Sequence, residues 1–436
     1  MNRSTHLREE EILIRGARVV DPYTGRDEVR DIAIADGRYV DPASLSSPRI
    51  IETDKLVAVP GLSDIHVHLR EPGFEYKEDV VTGTHCAARG GFTHVASMPN
   101  TNPTTDTPEI VQHLIERAER DGYCEVTPIA AATKGLLGEE LSEMGLMHEA
   151  GAVAFSDDGR PVESADMMQK AMNYAQRFGA RIHSHCEVKS LCKGASMNES
   201  QLSTEMGLFG SPKVAEDLMI IRDILLADYY HCPIHICHVS TKTGLELIRE
   251  AKKRGVAVSA ETCPHYFILT EEAVRGYNTH AKMHPPLREE EDRLAVIEAL
   301  KDGTIDCIVT DHAPHHRDEK DVEFALAANG IIGLETAFPL AYSYLVKTGE
   351  LSLMELLKLM ISKPRAIVHQ AERPIEVGGV ADLMLFDPEA EFTYSVEESY
   401  SKSRNTPFDG WRLHAPTRMT IWRGRISYEA GFGGKD

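Results

Sequence analysis

The middle of the chain repeats a short apolar run followed by a longer amphipathic stretch. The short runs have the length of buried strands, and the longer stretches place apolar residues three to four positions apart, as helices with one buried face do. The eight predicted strands are Leu62–His66, Phe92–Met98, Val126–Ala130, Val153–Ser156, Arg181–His185, Ile234–His238, Val256–Ala260 and Ile305–Thr310. The predicted helices include Glu109–Arg120, Ala165–Arg177, Val214–Ala227, Gly244–Lys253 and Glu289–Lys301. These repeats favour a (β/α)8 TIM barrel, with a doubly wound open sheet as the alternative.

Both ends of the chain carry a strand-like pattern without the intervening helices. The strand-like runs are Ile12–Ile14, Ala17–Val20, Ile32–Ile34, Ala381–Asp387 and Met419–Ile426, and turn residues follow several of them. We therefore predict one small β-sandwich lobe formed by both chain termini. The predicted boundaries are residues 1–58 and 370–436 for the lobe and 59–369 for the barrel.

Composition and charge narrow the function classes. The 436-residue chain has 42% hydrophobic and 26% charged residues, which is ordinary for a soluble globular protein. Its net charge of −21 argues against a nucleic-acid partner, although a few local cations could still bind a small anion. No signal peptide is evident, and no run of about 18 apolar residues predicts a membrane span. The eight cysteines lack CxxC spacing, which favours reduced thiols and a cytoplasmic location.

The candidate chemistry begins at the end of the first predicted barrel strand. His66 and His68 are two residues apart, so on a strand their imidazoles point to the same face and could bind one divalent metal. Arg70 follows directly, where its guanidinium could bind an anionic substrate.

Other predicted strands also end in residues of metal-ligand type. These residues are Asp157, Asp158, His185, His238 and Asp311. In a barrel, the carboxyl ends of the strands meet at one mouth, so these side chains are expected to gather with His66 and His68. Together they could hold two metal ions about 3.5–4 Å apart. The pattern leaves open which of the adjacent Asp157 and Asp158 enters this cluster.

The motifs resemble dihydroorotases of the longer bacterial type, within the amidohydrolase superfamily. The segments that carry the resemblance are His66–Gly73, Lys77–Asp79, Gly90–Thr93, Met98–Pro103, Asp157–Gly159, His185–Glu187, Cys237–Ser240 and Thr310–His315. The resemblance implies a two-zinc enzyme of pyrimidine synthesis that reversibly closes N-carbamoyl-L-aspartate to dihydroorotate. By motif position, it implies that His66, His68 and Asp311 hold one zinc ion and that His185 and His238 hold the other. It further implies that an aspartate bridges the two ions, and the spacing to His185 favours Asp158 over Asp157 for this role.

The resemblance also implies roles in catalysis and substrate binding. Asp311 would serve as the general acid and base. The implied substrate-binding residues are His68, Arg70, Asn100, His284, His315, Asn329 and Gly330. Two positions depart from the family pattern: His284 stands where asparagine usually precedes Pro-Pro-Leu-Arg, and Asn329 stands where an aromatic residue is frequent. Histidine can still offer one donor and one acceptor, but it is bulkier than asparagine.

Two other functions remain as alternatives at this point. A hydantoinase or allantoinase would use the same scaffold on another cyclic ureide, but the fourth strand ends in aspartates rather than in the lysine that hydantoinases use. A non-catalytic dihydroorotase homologue would serve as a scaffold for aspartate transcarbamoylase, but such homologues lack metal ligands. We expect a homo-oligomer and regard aspartate transcarbamoylase as a candidate partner.

Overall fold

The computed structural model describes residues 10–53 and 55–430. The strands of this part of the chain are β1 (Ile12–Asp21), β2 (Arg26–Ala35), β3 (Arg38–Val40), β4 (Arg49–Glu52), β5 (Val57–Pro60), β6 (Leu62–Val67), β7 (Phe92–Ser97), β8 (Glu125–Ala131), β9 (Ala154–Ser156), β10 (Ile182–Ser184), β11 (Met197–Asn198), β12 (Gly210–Ser211), β13 (Ile234–Ile236), β14 (Val258–Thr262), β15 (Cys307–Ile308), β16 (Leu383–Phe386), β17 (Glu391–Thr393), β18 (Arg412–His414), β19 (Thr417–Trp422) and β20 (Arg425–Glu429).

The α-helices of the described residues alternate with the strands of the central region. They are α1 (Val80–Arg89), α2 (Pro108–Asp121), α3 (Met144–Glu149), α4 (Ala165–Ala175), α5 (Gln201–Met206), α6 (Val214–Tyr230), α7 (Lys242–Lys253), α8 (Pro264–Ile268), α9 (Glu290–Lys301), α10 (Arg317–Lys320), α11 (Ala337–Ala341), α12 (Leu353–Leu357) and α13 (Lys363–Ile367). Several begin at a side chain that accepts a backbone N–H of the first turn, for example Ser164 before α4 and Thr241 before α7.

A parallel sheet of eight strands forms the central barrel. Its order is β6-β7-β8-β9-β10-β13-β14-β15, and every neighbouring pair is parallel. The ring closes between its first and last strands, because Val67 bridges His312 in parallel and the Asp64 carboxylate accepts the backbone N–H of Thr310 at 3.0 Å. The prediction of a (β/α)8 barrel is confirmed, and all eight predicted strands belong to it.

Strands from both chain ends form a second sheet beside the barrel. Its path is β20-β19-β16-β5-β1-β2-β3, and β4 also pairs with β1. This lobe has a core of its own, in which Ile12, Ile14, Leu383 and Ile421 are fully buried. The predicted lobe of both termini is therefore confirmed.

Charged side chains join the lobe to the barrel. Arg423 of the lobe contacts Glu119 at 2.7 Å and Glu125 at 3.0 Å, both on the barrel side. Arg365 of α13, on the barrel side, lies 4.0 Å from the buried carboxylate of Asp382 in the lobe. These ion pairs fix the lobe against the amino-terminal ends of the barrel strands, away from the strand ends that carry the candidate ligands.

All eight cysteines lie within the described residues, and none of them forms a disulfide. Among residues 10–53 and 55–430, no helix combines the length and the apolar composition that crossing a membrane requires.

Candidate metal centre and substrate pocket

The structure brings the six predicted metal ligands together at the carboxyl ends of the barrel strands. His66 lies on β6, and the other five follow the ends of β6, β9, β10, β13 and β15 by one to three residues. All six are at most 4% exposed: His66, His68, Asp158, His185, His238 and Asp311. They gather because parallel strands deliver their carboxyl ends to the same edge of the barrel.

Asp158 lies at the centre of the cluster. Its Oδ1 is 3.4 Å from Nε2 of His66, 3.7 Å from Nδ1 of His185 and 3.6 Å from Nε2 of His238. Its other oxygen, Oδ2, is 3.5 Å from Nε2 of His68. Two groups of potential metal ligands therefore share this carboxylate, one with His66 and His68 and the other with His185 and His238. A carboxylate that lies between the two groups and contacts both is suited to be a bridging ligand.

Asp311 completes the first of these groups. Its Oδ1 lies 3.0 Å from Nε2 of His68 and 3.5 Å from Nε2 of His66. The positive backbone φ of Asp311, 46°, turns the chain sharply after the last barrel strand and aims the carboxylate into the mouth.

Buried atoms without partners indicate that this donor set fits cations. Nε2 of His66 and Oδ1 of Asp158 are inaccessible to solvent and have no hydrogen-bond partner in the structure. Leaving such atoms unpaired is costly, and a coordinated cation would satisfy both of them. Imidazole nitrogens with carboxylate oxygens suit zinc and related transition metals.

Asp157 has a different environment from Asp158. Its Oδ1 accepts the backbone N–H groups of Ala132 at 3.0 Å and Thr133 at 2.9 Å, and its Oδ2 accepts the Thr133 hydroxyl. Burial raises the pKa of Asp157 to about 6 despite these hydrogen bonds. This carboxylate ties the end of β9 to the end of β8, and it faces away from the histidines.

Glu261 orients His66 from inside the barrel. Its Oε1 lies 2.5 Å from Nδ1 of His66, and its Oε2 lies 2.9 Å from Nε2 of His235. Burial opposes the ionised form, yet the two histidines lower the pKa of Glu261 below its usual range. The carboxylate accepts the Nδ1 proton of His66 and so leaves Nε2 free to bind a cation.

Of the predicted substrate residues, Asn100 contacts His68, and Arg70 contacts His315. Oδ1 of Asn100 is 2.8 Å from Nδ1 of His68. The Arg70 guanidinium donates from Nε to the carbonyl of Pro314 at 3.1 Å and approaches Nε2 of His315 at 3.4 Å. Arg70 is only 8% exposed, so its charge lies at the wall of the pocket rather than in solvent.

His284 also lies at the barrel mouth. Its ring is 5.2 Å from the ring of His185, measured between centroids, and its Nε2 is 3.0 Å from Oε1 of Glu187. Burial opposes the ionised form of Glu187, but His284 lowers the pKa of that carboxyl group to about 2. The histidine at the family's asparagine position is thus held by a carboxylate.

Two buried lysines hold the loop that carries Asn329 and Gly330. The Lys282 ammonium donates to the carbonyls of Phe324, Ala325 and Ala327 at 2.6, 3.1 and 2.7 Å. The Lys320 ammonium donates to the carbonyls of Ala328 at 2.7 Å and Gly330 at 3.2 Å. Both lysines are at most 4% exposed, so their ammonium groups are enclosed by the loop.

Gly330 and Asn405 bring this loop against His315. A Cβ at Gly330 would lie 2.6 Å from the carbonyl oxygen of Ala313 and 2.9 Å from Cδ2 of His315, so only glycine fits there. Asn405 donates to the carbonyls of Ala313 and Gly330, each at 2.9 Å, and accepts the backbone N–H of His315 at 3.1 Å. One amide from the C-terminal part of the chain therefore joins both sides of the pocket.

The sequence reasoning missed several residues that shape the site. They are Glu187, Glu261, Lys282, Lys320 and Asn405. Glu261 could have been found as a carboxylate at the end of the seventh barrel strand. The lysines and Asn405 left no comparable signal, because their partners are backbone carbonyl and N–H groups of irregular segments, which no residue pattern marks.

Comparisons with known proteins give consistent results. Residues 55–244 match the family described as Dihydro-orotase-like. A protein named dihydroorotase from Acetivibrio thermocellus is 50% identical over 418 residues, which cover 95% of this chain and 98% of that protein. A dihydroorotase from Ruminiclostridium cellulolyticum is 52% identical over 413 residues, covering 94% of this chain and 96% of the relative.

Solved structures with a similar fold include hydantoinases. The L-hydantoinase from Arthrobacter aurescens superimposes with a TM-score of 0.86 at 25% identity and covers 97% of each chain. A D-hydantoinase from a Bacillus species has a TM-score of 0.82 at 23% identity, covering 96% of this chain and 95% of that one. At 23% identity, the similarity to the Bacillus D-hydantoinase shows a shared fold and nothing more.

Proposed function

The chain belongs to the dihydroorotase family, and from this premise we propose that it interconverts dihydroorotate and N-carbamoyl-L-aspartate in pyrimidine synthesis. The observation that carries the proposal is the pair of ligand groups that share Asp158, with the Arg70 guanidinium in the pocket wall beside them. The first feature suits a binuclear hydrolase, and the second suits a substrate that carries a carboxylate.

We propose zinc as the metal, with two ions per chain. His66, His68 and Asp311 would hold one ion, His185 and His238 would hold the other, and Asp158 would bridge them. When bound, such ions lower the pKa of water and polarise the carbonyl that is attacked. Glu261 contributes by fixing the ring of His66 in the orientation that presents Nε2.

Arg70, Asn100 and His315 are proposed to bind the α-carboxylate of the substrate. The Arg70 guanidinium can donate two parallel hydrogen bonds to a carboxylate, which fixes the orientation of the ring as well as its position. His68, His284, Asn329 and Gly330 would complete the pocket around the rest of the ring. The close approach of Gly330 to His315 supports a place for this loop in the substrate pocket.

Asp311 is proposed to move the proton. In ring opening, its carboxylate accepts a proton from the attacking water and passes it to the departing ring nitrogen. In ring closure, the same group carries the proton in the opposite direction. The position of Asp311 beside His68 supports this role, because the attacking water and the substrate ring would both have to approach the ligand cluster close to these two residues.

The remaining parts of the proposal concern the cellular location, oligomeric state, partner protein and domain boundaries. We propose a cytoplasmic homo-oligomer, with aspartate transcarbamoylase as a candidate partner. The domain boundaries proposed above, 1–58, 59–369 and 370–436, also stay predictions.

The test is the turnover of dihydroorotate, hydantoin and allantoin by the purified protein, with its metal content measured by elemental analysis. We expect metal to be bound and dihydroorotate to be opened far faster than the other two. Faster turnover of hydantoin or allantoin would show that the proposed substrate is wrong. If the protein bound no metal and turned over none of the three compounds, it would be a non-catalytic scaffold. Asp311→Asn should retain appreciable metal but lose activity in both directions by at least about 10²-fold.

A further inference from the structure

A further group of metal-ligand residues lies beside the six ligands proposed above. One nitrogen of His185, one nitrogen of His284 and one oxygen of Glu187 all lie within 4.8 Å of one another. His185 is buried, whereas Glu187 and His284 are partly exposed. These three residues, called the outer group here, therefore lead from the buried ligand cluster towards the solvent.

His185 can serve both sets of ligands, because its two ring nitrogens face different neighbours. Nδ1 lies 3.0 Å from Nε2 of His238 and 3.7 Å from Oδ1 of Asp158, so it belongs to the proposed binuclear centre. Nε2 is inaccessible to solvent and has no hydrogen-bond partner in the structure. A polar atom buried in this way is costly unless a ligand satisfies it. Nε2 is thus the nitrogen that remains for the outer group.

The spacing within the outer group resembles that within the proposed metal centre. Nε2 of His284 lies 3.0 Å from Oε1 of Glu187, and its ring lies 5.2 Å from the ring of His185 between centroids. The shortest contact between a histidine and an aspartate of the buried cluster is also 3.0 Å. Ligand atoms that share one tetrahedral zinc ion lie about 3.3 Å apart. The contact between Glu187 and His284 is therefore compatible with a shared cation.

The surroundings leave room for one more ligand and do not repel a cation. A cavity of about 10 Å³ is lined by Glu187 and His284, which is enough for a single water molecule. Three protein ligands and a water give the four-coordinate geometry that zinc prefers. The Arg288 guanidinium also lines this cavity, but it is paired with the carboxylate of Glu216 at 3.2 Å.

His284 gives the outer group its affinity for transition metals. Asparagine is the usual residue of the family at this position, before Pro-Pro-Leu-Arg. An amide oxygen suits calcium or magnesium, whereas an imidazole nitrogen suits zinc, copper or nickel. The histidine of this chain thus adds a ligand of the same type as those of the binuclear centre.

We propose that His185, Glu187 and His284 bind an additional divalent transition-metal ion beside the binuclear centre. The ion takes the place of the Nε2 proton of His185, which passes to the solvent. Glu187 supplies a single negative charge, and the binuclear centre nearby is rich in positive charge. The additional ion is therefore bound more weakly than the other two, and it is bound whether or not substrate is present.

Occupation of the outer group would withdraw His284 from the substrate pocket. This consequence rests on the proposed function, in which His284 completes the pocket around the ring. Excess zinc should therefore inhibit the turnover of dihydroorotate by the native protein. His284→Asn should need a higher zinc concentration for the same inhibition.

The experiment counts the zinc ions bound by the full-length protein in equilibrium dialysis against increasing free zinc. We expect two tightly bound ions and a third that appears only at higher free zinc. His284→Asn introduces the usual residue of the family, so it should fold and lose the third ion alone, and Glu187→Gln should do the same. His113→Asn, at an exposed histidine of α2, is the matched control and should bind three ions.

The counts separate this proposal from the binuclear one. A native protein that binds two ions at every zinc concentration, or equal counts for the native protein and His284→Asn, would overturn the outer site. Fewer than two tightly bound ions would contradict the binuclear centre instead. A third ion without inhibition would support the outer site and contradict the role of His284 in substrate binding.

Anomalous diffraction from zinc-soaked crystals of the native protein provides a measurement that needs no variant. We expect a third peak between His284 and Glu187, within coordination distance of Nε2 of His185. Peaks at the binuclear centre alone, at a zinc concentration that gives three bound ions in dialysis, would place the additional ion elsewhere and overturn the assignment.

Discussion

Asp157 and Asp158 are adjacent carboxylates that face different surroundings. Asp158 lies within 3.4–3.7 Å of four imidazole nitrogens, whereas Asp157 accepts hydrogen bonds from Ala132 and Thr133. A strand that has just ended turns successive side chains to different sides, so only one of the two can enter the cluster.

The two aspartates should respond differently to substitution. Asp158→Ala removes the carboxylate shared by both ligand groups, so we expect most of the metal and nearly all activity to be lost. Asp157→Asn keeps one acceptor oxygen, and it should retain the metal while lowering the free energy of unfolding by about 1–3 kcal/mol. Elemental analysis and urea unfolding measure the two effects. Full metal content in Asp158→Ala would contradict the bridging role.

Arg70 tests whether the shape of the guanidinium matters as well as its charge. Arg70→Lys keeps the positive charge but loses the planar pair of donors that fits a carboxylate. Loss of this contact should cost about 1.5–3 kcal/mol, which corresponds to roughly a ten- to hundred-fold lower kcat/KM, mainly through KM. Arg317→Lys, at an arginine whose side chain is 85% exposed, is the control. Equal kinetics of the two variants would show that Arg70 does not bind substrate.

At the scale of elements, the loop of residues 324–330 is held in place by hydrogen bonds from two lysines, rather than by the backbone pairing of a helix or a strand. Five of its carbonyl groups accept hydrogen bonds from Lys282 or Lys320. These bonds replace the regular pairing that the loop backbone lacks. They also give the buried ammonium groups their partners.

Removing one lysine should loosen the loop without disturbing the metal. Lys320→Met fills a similar volume but leaves the carbonyls of Ala328 and Gly330 without their donor. We expect KM to rise about tenfold, with kcat and metal content changed little, because the loss is one of substrate positioning. Amide hydrogen exchange of residues 324–330 should accelerate. Lys170→Met, on the exposed side of α4, should leave all of these quantities unchanged.

The regular elements could be predicted from the sequence, and the irregular ones could not. The predicted helix Glu289–Lys301 differs from the observed Glu290–Lys301 by one residue at its start. The agreement is close because periodic apolar residues mark a helix clearly. The strand predicted at Ile305–Thr310 is observed only at Cys307–Ile308. The short lobe strands β3 and β4 carry too few residues for a pattern, so their pairing was not predicted.

The candidate ligands were predictable for a related reason. Each follows a strand that is recognisable by its apolar residues, so the barrel itself indicates where their side chains meet. Asn405 acts through contacts made only after folding and belongs to no spacing pattern, whereas Glu261 follows a predicted strand as the ligands do and could have been found there. The choice between Asp157 and Asp158 likewise depended on backbone direction after β9, which spacing alone does not determine.

At the scale of the whole molecule, His94 links three barrel strands from inside the fold. Its Nδ1 is 2.7 Å from the Ser63 hydroxyl, and its Nε2 is 2.8 Å from the Thr127 hydroxyl. Burial, together with the charge of Arg365, lowers the pKa of His94 from 6.5 to about 3. The folded protein therefore keeps this imidazole neutral at mildly acidic pH.

The neutral His94 should make the fold sensitive to acid. Between pH 6.5 and about 3, the unfolded chain binds a proton at this residue and the folded chain does not, so stability falls as the pH falls. At pH 5 the contribution is about 2 kcal/mol relative to neutral pH. His94→Gln keeps hydrogen-bonding atoms but does not titrate, so its loss of stability from pH 7 to pH 5 in urea unfolding should be smaller by about this amount.

The control for this prediction is His113→Gln, at an exposed position of α2. It removes an imidazole without touching the buried contacts, and its pH dependence should match that of the native protein. An identical acid sensitivity of His94→Gln and the native protein would show that His94 does not limit stability in this range.

The position of Asn405 along the chain has a consequence for synthesis. The ribosome makes the chain from its amino end, so all six candidate ligands, the last of which is Asp311, exist long before residue 405 is added. Until then the two segments are joined only by their own backbone contacts, such as Ala313 N–H to the carbonyl of Ile331, and the hydrogen bonds of the Asn405 amide are still missing. The residues proposed to bind the metal are thus synthesised before the amide that joins both sides of the proposed substrate pocket. We therefore expect full activity only after residue 405 has been added.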